Sequence, residues 1–156
     1  MKITIISFSG RADGNCSKVS SMIKEHYKNQ AKIYKFSDFS INSCGNSCNN
    51  ECISNKICPH KNDMEEKLIK EISESDVSYF VVPNYSDYPC SNFFIFNERF
   101  LSCTWNNEKL LEKYTKSTKK FIVISSSSSE NFEKVFSYHC ENKAEIKFIS
   151  PKELQK

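Results

Sequence analysis

Ser7-Phe8-Ser9-Gly10-Arg11-Ala12-Asp13-Gly14-Asn15-Cys16-Ser17 follows directly on the apolar run Ile3-Thr4-Ile5-Ile6 and holds two of the three glycines in a chain of 156 residues. Average usage of roughly 7% Gly would give about eleven. Glycine is therefore kept where a strand gives way to a helix. The segment predicts a strand over about Lys2 to Ser7, a tight bend that presents backbone N–H groups, and a helix from about Asn15 to Asn29. The hydroxyls of Ser7, Ser9 and Ser17, the Asn15 amide and the Arg11 guanidinium surround that bend. The N-terminus of the helix adds its dipole and its unpaired donors. Such a set suits an anion, phosphate above all.

Strand and helix signals alternate along the rest of the chain, which predicts an α/β fold with a mostly parallel sheet. Val19, Met22, Ile23 and His26 stand at helical spacing. Residues 31–36 alternate like a half-buried strand near a sheet edge. Asp63 with Glu66 three residues later opens a second helix, which carries Met64, Leu68, Ile69 and Ile72 on one face. Residues 77–82 read as a central strand ended by Pro83, and a polar turn over 84–89 leads to an aromatic helix holding Phe93, Phe94, Phe96, Phe100 and Leu101. A fourth strand (121–124), a serine turn (125–129), a helix from Glu130 to Cys140 and a fifth strand from Ala144 to Ile149 complete the pattern. The expectation is one domain over 1–156, a doubly wound five-stranded parallel sheet of order 2-1-3-4-5 with four intervening helices and a shortened C-terminal end.

The 22 Lys and Arg against 19 Asp and Glu leave a net +3 spread along the chain, which argues against nucleic acid as the partner. The apolar N-terminal run is too short for a signal peptide and no window reaches the length of a membrane span, so a cytoplasmic protein is expected. In that setting the eight cysteines are not structural disulfides. Four of them, Cys44, Cys48, Cys52 and Cys58, are spaced x3, x3 and x5 inside residues 37–63, where periodicity breaks. Long loops in small domains are usually functional. Thiolates so spaced suit a 4Fe–4S cluster or a zinc ion; a loop of free thiols, or a pair that oxidises, is the plainer reading. Cys16, at a helix N-terminus, is expected to have a lowered pKa or to stand as a phosphate neighbour.

The stretch from Ile6 to Val19 resembles the segment I-S-G-S-P-R-x-x-G-N-T-S-x-L of NAD(P)H-dependent FMN reductases and iron–sulfur flavoproteins. Pro83-Asn84-Tyr85-Ser86-Asp87 stands where that family has P-x-Y-x-G, and Phe96-Asn97-Glu98-Arg99 where it has F-I-D-R. The resemblance spans nearly the whole chain and implies a flavodoxin-like fold, with a ligand at the switch point between the first and third strands. It also implies that Ser9, Arg11, Asn15, Cys16 and Ser17 hold the FMN phosphate. Pro83, Asn84, Tyr85, Ser86 and Asp87 would line the isoalloxazine, with Ser125 and Ser126 completing the ring pocket. By the same resemblance, electrons pass from NAD(P)H through the flavin to an unidentified acceptor, no side chain acts as acid or base, and the cysteine loop sits where the iron–sulfur members carry their cluster motif.

The pattern is departed from at four places: Phe8 and Asp87 replace glycines, Gly10 replaces a proline, and Ser125 to Ser129 replaces a glycine-rich turn. Each is expected to add bulk or charge near the ligand. Two functions follow. One is an FMN oxidoreductase, expected as a homodimer that covers a partly bare sheet face. The other is a flavodoxin-like module that has lost FMN and binds or senses metal or redox state through its cysteine loop.

Overall fold

All five residues of β1 (Ile3–Ser7) are buried, and they alternate between two cores. The computed structural model describes residues 1–45 and 50–155. After β1 come α1 (Asn15–Tyr27), β2 (Ala31–Lys35), α2 (Glu51–Ser54), α3 (Met64–Glu74), β3 (Val77–Tyr85), β4 (Tyr88–Pro89), α4 (Ser91–Thr104), α5 (Glu108–Lys116), β5 (Thr118–Ile124), α6 (Glu130–Ser137) and β6 (Glu145–Ile149). The sheet runs β2-β1-β3-β5-β6 with every neighbour parallel, and β4 pairs antiparallel with the end of β3.

This differs from the expected order 2-1-3-4-5 of five strands. The added strand exists because Tyr85 and Tyr88 pair across a two-residue turn whose residues Ser86 (φ 54°) and Asp87 (φ 66°) are both left-handed. That geometry returns the chain on itself as a hairpin. The helix count differs as well: α2 forms inside the cysteine-rich segment, and α5 follows the aromatic helix, capped by the Asn107 side chain on the Leu110 amide at 3.1 Å.

Side chains on successive strand positions face opposite ways, and here both faces are covered. Ile6, Phe80, Val82, Phe121 and Val123 pack against α3, α4, α5 and α6, whereas Ile3, Ile5, Val81, Ile122 and Ile124 pack against α1. Near-continuous apolar strands of this kind mark a parallel sheet buried on both sides. On the α1 side a cleft of about 320 Å³ is left between Met22, Ile23, Tyr27, Tyr79, Ile149 and Leu154. In the larger core His139 is fully buried between the Tyr114 hydroxyl and Asn97 Oδ1, each at 2.8 Å, and burial pushes its pKa down to about 3.

Arg99, 1% exposed on α4, ties down the segment between β2 and α3. Nη1 donates to the Asn42 carbonyl (2.8 Å) and to Asp63 Oδ2 (2.6 Å), and Nη2 to Asp63 Oδ1 (3.3 Å) and the His60 carbonyl (3.4 Å). One guanidinium thus grips both flanks of the cysteine-rich stretch. Asp63 also caps α3 through the Glu65 amide at 3.1 Å. Burial pushes its carboxyl up, but the Arg99 hydrogen bond and two backbone amides outweigh that and hold it below the ordinary value. Glu65 has the opposite fate: it is fully buried, neither carboxyl oxygen has a hydrogen-bond partner, and desolvation holds it well above its ordinary value.

Two outcomes follow for stability. Arg99→Met leaves half-buried Asp63 without its counter-ion and is expected to cost about 3 kcal/mol in urea denaturation. The unfolded chain ionises Glu65 at its ordinary value of 4.5 while the folded chain resists, so this group lowers stability as pH rises above 4.5. The loss is about 1.4 kcal/mol per pH unit until the folded carboxyl also ionises. A Glu65→Gln series measured across that range should lack this slope.

Candidate functional site

Strand order reverses between β1 and β3, and the loops after β1, β3 and β5 all leave from the same edge of the sheet. In open parallel sheets this is where ligands bind. The first loop is aimed by Phe8, whose N–H donates to the Val81 carbonyl (3.0 Å) and whose carbonyl accepts from Asn92 Nδ2 (2.9 Å) and Cys90 Sγ (3.4 Å). The Phe8 ring does not crowd the edge, as the sequence suggested. It is fully buried among Phe36, Phe80, Phe93 and Phe96, with ring centroids 4.9–5.6 Å away.

Beyond Phe8 the loop turns polar. Ser9 Oγ accepts from the Arg11 amide at 3.1 Å, which leaves the hydroxyl hydrogen to donate elsewhere. Gly10 to Asp13 are exposed, and the Arg11 side chain makes no hydrogen bond or ion pair among the described residues. Neither loop glycine has a positive φ, so the bend is made without left-handed glycine backbone. A Cβ at Gly10 would meet only Asn92 Nδ2, at 3.8 Å. The fold thus leaves open space above Gly10 that a side chain would fill.

Gly14 is the N-cap of α1 and provides no side-chain acceptor, whereas Asp63, Asn107 and Ser129 cap α3, α5 and α6. The first-turn amides of α1, including that of half-buried Asn15, therefore face the loop without an internal side-chain partner. Ser17 Oγ donates to the Ala12 carbonyl (2.8 Å) and accepts from Lys35 Nζ (2.7 Å). Lys35 was missed in the sequence, although its place was legible: as the last residue of β2 in parallel register with Ser7, it must end beside the β1 loop. Cys16 is a second correction. Its thiol lies in the core beneath α1, and burial, with a smaller effect of Cys90, pushes it up to about 12 rather than lowering it.

The other two loops are joined through Asn84. Its Nδ2 donates to Ser125 Oγ (2.7 Å), and its Oδ1 accepts from the Asp87 amide (2.8 Å), which braces the hairpin turn. Ser125 Oγ donates in turn to the Ser127 carbonyl at 2.6 Å, Ser129 caps α6, and Asn131 Nδ2 reaches the Asp87 carbonyl at 3.2 Å. The serine run is thus a bonded turn, not filler. Pro83 and Asn84 are half-buried, Ser86, Asp87 and Ser126 are exposed, and Tyr85 (56% exposed) and Tyr88 (48%) hold two aromatic rings at the mouth. Asn92 and Asn131 are further polar members that sequence reasoning did not pick out.

Of the cysteine-rich segment, Cys44 lies against α4. The Cys44 amide donates to Glu98 Oε1 at 3.0 Å, and the His60 amide donates to Cys58 Sγ at 3.4 Å. Cys52 sits on α2, and Cys48 lies outside the described residues. Among the described residues no group of three or more His, Cys, Asp or Glu side chains is arranged to hold a metal ion. The expected cluster or zinc set is therefore not brought together by Cys44, Cys52 and Cys58.

No protein-family model matches the chain, and no curated protein matches it. Solved structures do. Over 96% of this chain the Trp repressor binding protein of Bacillus subtilis superposes with TM-score 0.65 at 12% identity, with 84% of that protein covered. A flavone reductase gives 0.57 at 13% identity over 96% of this chain. An NADH:FMN oxidoreductase, in its apo form, gives 0.56 at 9% identity, covering 97% of this chain and 76% of its own. The chain has the fold of these proteins. At such identities the likeness speaks for the fold alone, and the chain spans 53% of the length of the flavone reductase. The helices on both sides of a parallel sheet agree with the flavodoxin-like expectation, and no helix among the described residues is long and apolar enough to cross a membrane.

Two measurements check the local geometry. Alkylation of the native protein near pH 8, read by mass spectrometry, should leave Cys16 and Cys103, both pushed up to about 12 by burial, unlabelled until the chain is unfolded. Asp87→Gly relieves a left-handed aspartate and is expected to raise stability by up to about 1 kcal/mol, seen as a higher melting temperature.

Proposed function

We propose that the protein is an FMN-binding oxidoreductase that passes electrons from NAD(P)H to an acceptor. The observation that carries the reading is the shared edge. A loop rich in uncompensated donors and cations sits at the uncapped N-terminus of α1, beside a braced polar hairpin with two exposed tyrosines, at the strand-order reversal of the sheet. A phosphate monoester needs the first part; a planar polar ring needs the second. The fold is shared with proteins described as a flavone reductase and an NADH:FMN oxidoreductase, which supports the same reading.

The residues present fit the group. Ser9 has a hydroxyl hydrogen to give, Arg11 a planar fork, and the amides around Asn15, Cys16 and Ser17 lie at the positive end of α1. Gly10 keeps the approach clear. On the ring side Pro83, Asn84, Tyr85, Ser86 and Asp87 form one wall and Ser125 and Ser126 the other, with the Asn84–Ser125 hydrogen bond holding the two walls in register. Bound FMN would supply the hydride and electron chemistry. The chain's own part is to hold the phosphate, to fix the ring orientation through the hairpin backbone, and to leave one ring face accessible to a nicotinamide. The exposed Asp87 carboxylate places negative charge at the hairpin tip, where it disfavours a reduced, anionic ring.

The test is the absorption spectrum of the purified protein, followed by FMN titration and NAD(P)H oxidation. Flavin bands, or stoichiometric uptake of added FMN, are expected, and Arg11→Ala should weaken FMN binding about 10- to 100-fold, the worth of a charge-assisted hydrogen bond. A colourless protein that takes up no FMN would rule out the oxidoreductase and favour the flavin-free binding module.

A further inference from the structure

Lys35 is half-buried at the C-terminal end of β2, and one of its three ammonium donors is accounted for, by a neutral acceptor, Ser17 Oγ at 2.7 Å. Among the described residues it faces no carboxylate within ion-pair distance, unlike Arg99 with Asp63 or Lys70 with Glu66. Arg11, across the same loop, is likewise without an acidic partner among the described residues. A loop that carries Arg11 and is met at Ser17 by Lys35, with no carboxylate paired to either cation among the described residues, offers a site for an anion that the chain itself does not provide.

Ser17 explains why Lys35 reaches this position. Its single hydroxyl hydrogen is committed to the Ala12 carbonyl at 2.8 Å, so its lone pair is what remains for a donor. Ser17 therefore closes the loop and steadies the lysine rather than giving a hydrogen bond to the ligand. The strand register does the rest. Lys35 is paired in height with Ser7, and the Phe36 amide donates to the Ser7 carbonyl at 2.9 Å, so the end of β2 is fixed against the start of the loop.

We infer that Lys35 is a second phosphate-binding cation, which with Arg11 and the amides of α1 makes the site selective for a dianionic phosphate monoester, with Ser17 as the residue that positions it. The inference rests on the FMN reading and deepens it: it assigns the preference for the nucleotide over the phosphate-free flavin to a residue on β2. A compact ammonium suits this place because it can leave the Ser17 oxygen for a phosphate oxygen without breaking any other interaction of the fold.

The experiment is a fluorescence titration of the flavin-free protein with FMN and, separately, with riboflavin, for wild type, Lys35→Met, Lys35→Gln and Lys35→Arg. Wild type should prefer FMN strongly. Lys35→Met and Lys35→Gln should lose about 10- to 100-fold in FMN affinity with riboflavin affinity unchanged, and Lys35→Arg should recover most of it. Melting curves identify any variant that fails to fold, and the remaining neutral variant then decides. An FMN-to-riboflavin preference unaltered by neutralising Lys35 would overturn this inference while leaving the flavin reading intact. Failure of wild type to bind FMN at all would overturn both.

Discussion

The Phe8 peptide unit is the constraint on which the candidate site depends. Its ring is sunk into an aromatic cluster, its N–H is spent on Val81 of β3, and its carbonyl is held by Asn92 and Cys90 at the start of α4. With the last residue of the β1 extension locked from three sides, the chain must emerge at Ser9 in one direction, above the gap between β1 and β3. Aromatic packing of this type contributes through area and through ring geometry, so the loop inherits the rigidity of the core. A residue that looks, in sequence, like an obstacle to a ligand is the anchor that frees the next six residues for one.

A second constraint is electrostatic. Where the fold buries an ionisable side chain for its own purposes it pairs it, as with Arg99 and Asp63, surrounds it with acceptors, as with Lys119 on the Tyr114 and Ser117 carbonyls, or leaves it resistant to ionisation, as with Glu65. The loop after β1 follows neither course. Arg11 and Lys35 stand over an uncapped helix end with hydroxyls and amides around them and no acidic partner among the described residues. The ring side is arranged differently: Asn84 uses both ends of its amide, one on the hairpin turn and one on the serine turn, so that the two walls are set by a single side chain. Binding groups left open on one side and internally satisfied on the other match a ligand that is charged at one end and planar at the other.

Much of the architecture could be read in advance because its signals are local. The apolar runs at 3–6, 77–82 and 121–124 are largely buried on both faces, and short runs bounded by turn residues suit strands of a covered parallel sheet. Asp63 announces α3 by its own chemistry. What was not legible depends on neighbours distant in the chain. The hairpin at Ser86 and Asp87 was hidden because neither residue signals a left-handed turn as Asn-Gly would. Cys16 was misjudged because the helix N-terminus argues for a low pKa, while the inward face of α1, set by packing against β1, β2 and β3, argues the reverse and wins. Lys35 was overlooked because its importance comes from strand register. The spacing of the cysteines could be read, but the hold of Glu98 on Cys44 and of Arg99 on Asn42 and Asp63 could not.

The most direct test is a crystal structure of the protein grown with FMN. The phosphate is expected against Ser9, Arg11, Lys35 and the first-turn amides of α1, with the isoalloxazine along Asn84 and Tyr85 and facing the turn at Ser125 and Ser126. Density for FMN elsewhere on the molecule, or none at this edge in crystals saturated with it, would contradict the account.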